Sequence, residues 1–174
     1  MAAGNVRRHA TPVLDAARES LGGCDHVDAV AVDLPPGTTA VDFTRAVFLG
    51  TPEWVHRLIG VRDRVMAPFG LQRQRRVAPE HIRIEPGLKM GPFRLLTVGD
   101  DEVLCGDDDK HLDFRTSFAV RPAASGTGTG TGTEGVCTTA VRFHRPAGRL
   151  YFTAIQPLHH LIVPRVVGGA CDAG

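Results

Sequence analysis

The densest polar cluster in the sequence is Asp107, Asp108, Asp109, His111, Asp113 and Arg115. Alternate residues of an extended strand project to one side, so Asp109, His111, Asp113 and Arg115 form a row there with steps of about 7 Å. An imidazole beside carboxylates is held in one tautomer and made more basic, which suits general acid or base work. His111 and Asp113 are therefore the first catalytic candidates, with Asp109 and Arg115 as ligand contacts. The competing reading is geometric. Leu112, Phe114 and Phe118 occupy the other side of the same strand, so if they line the interior the polar row faces water or a partner subunit. A bulge after the acidic turn would re-aim His111 into a pocket at the strand's mouth.

A second group lies near the C-terminus. His159 and His160 are neighbours on an expected helix and point about 100° apart, so only one of them faces inward and they do not pair on one metal ion. Tyr151, expected on an adjacent strand, can set its hydroxyl beside the inward histidine; a satisfied core histidine and a capping hydroxyl explain the same residues. Ser20, Ser117 and Ser125 lack the GxSxG elbow, and no cysteine has a neighbour that would lower its pKa, which argues against a covalent nucleophile. Asp107, Asp109 and His111 offer oxygen and nitrogen ligands, but no recognised metal spacing such as HExxH and no GKS/GKT loop occurs, so neither a metal nor a cofactor is expected.

Composition narrows the class. A chain of 174 residues that is 43% apolar can bury one core. The net charge of +1 gives no field for nucleic acid or anionic lipid. Arg73, Arg75 and Arg76 form a short basic run without interleaved aromatics and read as a solvated loop. No stretch is apolar over the ~20 residues of a membrane span or resembles a secretion signal, so a cytoplasmic address is expected. Cys24, Cys105, Cys137 and Cys171 are widely spaced and read as free thiols.

The elements that must position these residues follow from periodicity. Residues 1–24 read as a flexible leader, 25–168 as the domain and 169–174 as a tail. HVDAVAVDL, from His26 to Leu34, alternates as a strand, with Asp28, Val30, Val32 and Leu34 on one side. Two helices follow. One is capped at Thr38 or Thr39 with Val41, Phe43, Val47 and Phe48 as its stripe; the other opens at Thr51–Pro52 and buries Trp54, Leu58, Val61 and Val65. Residues 72–92 form a long irregular connection, read either as a lid or as a wandering insertion. Strands are then expected at 93–98, 102–106, 111–121, 136–144 and 149–155, with a disordered Gly-Thr loop at 123–135, and a last helix opens at Pro157. The sum is an α+β fold: a curved antiparallel sheet of about six strands around a C-terminal helix.

GDDDKHLDFR, GRLYFTAIQPLHHLIVPR and PEWVHRLIGVRDRVMAPFGL together resemble a bacterial family of unknown function within the START-like (SRPBCC) helix-grip superfamily, also found appended to short-chain-dehydrogenase-like proteins. The resemblance spans about Asp25 to Val167. It implies a cavity between sheet and last helix, walled by Trp54, Leu112, Phe114, Phe118, Phe143, Phe152, Leu158 and Ile162, each of which serves equally well as a core residue. Proteins of that superfamily bind lipids, cyclise polyketides or carry ligands. The expected function is binding of a small apolar molecule. The alternatives are a cofactor-free cyclase, isomerase or dehydratase using His111, Asp113, Tyr151 and His159, and an interaction module that forms a homodimer through the polar strand face.

Overall fold

The structure is a computed structural model and describes residues 6–66, 82–90, 93–123 and 132–170. In chain order these carry β1 (Arg7–Arg8), α1 (Asp15–Leu21), β2 (His26–Leu34), α2 (Ala40–Leu49), α3 (Glu53–Met66), β3 (Lys89–Met90), β4 (Phe93–Val98), β5 (Glu102–Asp108), β6 (Leu112–Pro122), β7 (Thr133–Phe143) and α4 (Pro146–Gly169). All strand pairs are antiparallel, in the order β1-β2-β7-β6-β5-β4-β3. The class is α+β, with a curved seven-stranded sheet and a C-terminal helix, as the alternation requires. Among the described residues no helix is long and apolar enough to cross a membrane.

Register divides the sheet into two faces. Val30 pairs with Cys137, Cys137 with Phe118 and Phe118 with Val103, so these four share one side. That side also takes Leu34, Phe43 and Val47, with Val167 and Ala170 from the end of α4, into the main core. The opposite side carries Ala29, Ala31, Val136 and Ala140, with α1 laid over it through Ala17 and Leu21. The leader expected over residues 1–24 thus contains β1 and α1; Gly22, at φ 66, closes α1 in the left-handed conformation that glycine adopts without a Cβ penalty. Thr39 caps α2 as expected: its hydroxyl accepts from the Asp42 amide in a reciprocal capping box.

Three expectations are corrected. The segment 149–155 is not a strand but the second and third turns of α4, which starts at Pro146 and not at Pro157. Gly148, Phe152, Ile155, His159, Val163 and Val167 recur at steps of three and four, and this helical stripe wins over the short alternation of RLYFTAI. Pro157 and Pro164 lie inside the helix. Each removes one hydrogen bond, at a cost of about 3 kcal/mol in a helix interior. Burial of Phe152 and Val167 returns about 1.5–3 kcal/mol each, so the helix runs through. Among the described side chains of α3, Val55 is buried at 1% exposure and Leu58 is half-buried, whereas Trp54 and Val61, expected inside, are exposed at 39% and 52%; the side chain of Val65 lies outside the described residues. The Gly-Thr segment expected at 123–135 ends earlier, because β7 begins at Thr133 and pairs there with both Leu34 and Pro122. Residues 124–131, the basic run at 73–76, most of the 72–92 connection and Cys171 lie outside the described residues.

Candidate functional site

The helix-covered face of the sheet is not uniformly apolar. Next to the apolar row Val30, Cys137, Phe118 and Val103, the register sets Asp28 beside Thr139, Thr139 beside Thr116 and Thr116 beside Cys105. This is a polar band across four strands, and Thr116 and Thr139 within it are buried. Beyond it come His26, Val141, Phe114 and Asp107, then Phe143 and Leu112. Leu112, Phe114 and Phe143 are only half-buried although they share the sheet face on which α4 lies. Their ring neighbours are Phe93 for Phe114, at 5.8 Å, and Phe152 for Phe143, at 5.6 Å.

Where the polar band meets α4, one carboxylate serves two imidazoles. Asp28 Oδ2 lies 3.0 Å from His26 Nε2, and His159 Nε2 lies 3.0 Å from Oδ2 and 3.1 Å from Oδ1. His26 and Asp28 are two apart on β2 and so project together; His159 reaches them from the inward stripe of α4. Phe152 covers the group, its ring 4.6 Å from that of His26 and 6.4 Å from that of His159. All three polar side chains remain partly open to solvent. Burial pushes the Asp28 carboxyl up, but the hydrogen bonds and charges of His159 and His26 outweigh it and hold the carboxyl below its ordinary range. His160, exposed on the next position of α4, places its ring 5.9 Å from that of His159.

The other predicted residues are dispersed. His111, Asp113 and Asp109 build the turn into β6. The His111 amide donates to Asp109 Oδ1 at 3.0 Å, the Asp109 amide donates to Asp113 Oδ1 at 3.2 Å, and His144 Nε2 meets Asp113 Oδ2 at 2.7 Å. The His111 carbonyl accepts from the amides of His144 and Arg145 and so fixes the entry to α4. His111 Nδ1 is buried without a hydrogen-bond partner. Arg115 is buried on the other sheet face, under α1, where its Nε donates to Ser20 Oγ at 2.7 Å and its guanidinium to Asp108 Oδ1 at 2.7 Å. The expected row therefore faces away from α4: Arg115 lies under α1, Asp113 shares its side at the start of β6, and His111 lies in the turn before the strand.

Tyr151, Leu158 and Ile162 lie on α4, half-buried. Trp54 stands on α3 with the Arg165 guanidinium 5.9 Å from its ring centre, and Phe118 is packed against Phe43 and Phe48. Of the catalytic candidates only His159 is at the carboxylate. His26 and Asp28 were not singled out, although the signal is present: an imidazole and a carboxylate at i and i+2 continue the apolar side of a strand that otherwise reads Val30, Val32, Leu34.

A family model described as Protein of unknown function (DUF2867) matches residues 20–166 of the chain. No curated protein and no solved structure matches it.

Proposed function

The chain belongs to the DUF2867 family, and we propose that it binds a small, largely apolar organic molecule between the sheet and α4, its polar end met by His26, Asp28 and His159. The observation that carries this reading is the half-burial of Leu112, Phe114 and Phe143 directly beside a polar band on an otherwise apolar sheet face. Ligand sites combine such apolar walls with a few convergent polar groups. A helix-grip arrangement of the START-like kind fits the same features: two helices follow the first long strand, and a long final helix lies against β2 and β7. The test is saturable binding of 1-anilinonaphthalene-8-sulfonate to the full chain, together with native mass spectrometry for a co-purifying compound. The reading expects one probe per chain, weakened about tenfold by His159→Gln, the worth of one charge-assisted hydrogen bond. Probe binding that is unchanged in both His159→Gln and Phe143→Ala would defeat it.

A second reading is favoured by the carboxylate itself. Asp28 orients both imidazoles by hydrogen bonds, which is how a histidine is made ready to take or give a proton. The chain would then be a cofactor-free cyclase, isomerase or dehydratase that shapes a flexible substrate against the aromatic wall. Turnover of a polyketide-like intermediate that survives His159→Gln and His26→Gln intact would remove it.

A further inference from the structure

His26, Asp28 and His160 offer two imidazole nitrogens and a carboxylate oxygen, all within 4.8 Å of one another. Two of them come from one strand at i and i+2, and the third from a helix 132 positions after Asp28. We propose that these three side chains bind a divalent first-row transition-metal ion of the zinc or iron(II) class at the junction of β2 and α4.

The distances carry the argument. Ligand atoms bonded to one such ion at about 2.0–2.2 Å stand about 3–3.4 Å apart for angles between octahedral and tetrahedral. His26 Nε2 and Asp28 Oδ2 already lie 3.0 Å apart. The remaining separations need to close by at most about 1.5 Å to reach that range, and His160 is an exposed residue whose rotamer can change without disturbing the core.

The donor chemistry agrees. Two imidazoles and one carboxylate suit zinc or iron(II) rather than magnesium or calcium, which take oxygen ligands. Three protein ligands, one of them exposed to solvent, leave coordination positions for water or for a polar group of a bound molecule.

The surroundings supply an outer contact as well. His159 Nε2 lies 3.0 Å from Asp28 Oδ2 and 3.1 Å from Oδ1, so its hydrogen bond can settle on Oδ1 while Oδ2 turns to the ion. Outer hydrogen bonds of this kind fix the orientation of ligating carboxylates.

This inference goes beyond the binding of an organic molecule and does not rest on it, since the ion is measured alone. The full chain, freed of any affinity tag and stripped with a chelator, is titrated with Zn²⁺ by calorimetry and with Co²⁺ by its visible absorption. One ion per chain is expected, with affinity lowered at least about tenfold by His160→Gln and by His26→Gln. His144→Gln, on the turn beside Asp113, leaves it unchanged. Absence of saturable one-to-one uptake of both ions overturns the proposal, and so does uptake that His160→Gln does not weaken. His160 is exposed, so that variant keeps the fold. Probe binding by the stripped chain reports on the organic-molecule reading separately.

Discussion

Gly148, in the first turn of α4, lies so close to the His111 backbone that a Cβ on it would sit 2.2 Å from the carbonyl oxygen. The same oxygen accepts the amides of His144 and Arg145, at 3.0 and 3.3 Å. One carbonyl thus pins the end of β7 and the start of the long helix to the turn before β6. Gly148→Ala must push backbone against backbone, which no side-chain rotation relieves. The expected loss is about 2–3 kcal/mol, read as a lowered urea midpoint at unchanged slope. A loss under half a kcal/mol would show that the helix entry is loose.

Arg115 and Ser20 tie α1 to the sheet across 95 positions of sequence. The guanidinium also meets Asp108 and the carbonyls of Phe114 and Asp107. Ser20→Ala removes one bond and is expected to cost about 1 kcal/mol; Arg115→Ala, which removes that bond together with the charge-assisted bond to Asp108 and the packing of a buried side chain, is expected to cost about 2–3 kcal/mol. Because both lie on the α1 face, neither variant should alter binding of 1-anilinonaphthalene-8-sulfonate at α4. Equilibrium unfolding and probe titration on the same two proteins check both halves.

The five longer strands, β2 and β4 to β7, and the two middle helices were legible because their signals are local. His26–Leu34 is a valine-rich run stopped by Pro35 and Pro36, and Thr39 with Asp42 spells a capping box. What failed was local evidence that tertiary packing overrode. Arg149–Ile155 alternates well enough for a strand, and Pro157 is a good first residue of a helix, yet β7 has no free edge for a hairpin partner once it has paired with β2 and β6. The candidate site was half legible. A histidine on the last helix is visible in sequence, but its partner lies 131 positions away, and only the β2–β7 register and the path of α4 bring Asp28 to His159.

Pro157 supplies a further prediction. It lies exposed within α4, where it removes an intrahelical hydrogen bond. Pro157→Ala restores the donor without touching the core, so it is expected to stabilise the chain by about 1–3 kcal/mol. A thermal midpoint at or below that of the parent would mean that the proline bends α4 into its seat on the sheet.

Glu134 joins the first and seventh strands to the sixth. It accepts from Arg7 at 2.8 Å and from Arg121 at 2.5 Å. Burial raises its carboxyl, but the two arginines together outweigh burial and hold it below its ordinary value of 4.5. A carboxyl depressed in the folded state binds its proton more readily once unfolded, so its contribution is complete above 4.5 and fades as pH falls through the folded value. Urea unfolding from pH 7 to pH 3 should therefore show Glu134→Gln less stable than the parent at neutral pH. The gap should narrow on acidification below about 4.5. A gap that stays constant with pH would mean that the arginines do not act on the charge.

The Asp28–His159 contact can be tested without any ligand. The hydrogen bond from imidazole to carboxylate closes the junction of β2 and α4, and a bond to a charged group contributes about 1.5–3 kcal/mol. Solvent reaches both side chains, which lowers the expectation to about 1–2 kcal/mol for Asp28→Asn. His159→Gln should cost somewhat less, because Asp28 keeps His26 as a partner. In a double-mutant cycle the two substitutions are expected to couple by about 1 kcal/mol, since each removes the same contact. Additive losses would mean that helix and strand meet there through Phe152 alone. The polar centre on which both functional readings depend would then not be assembled in the resting protein.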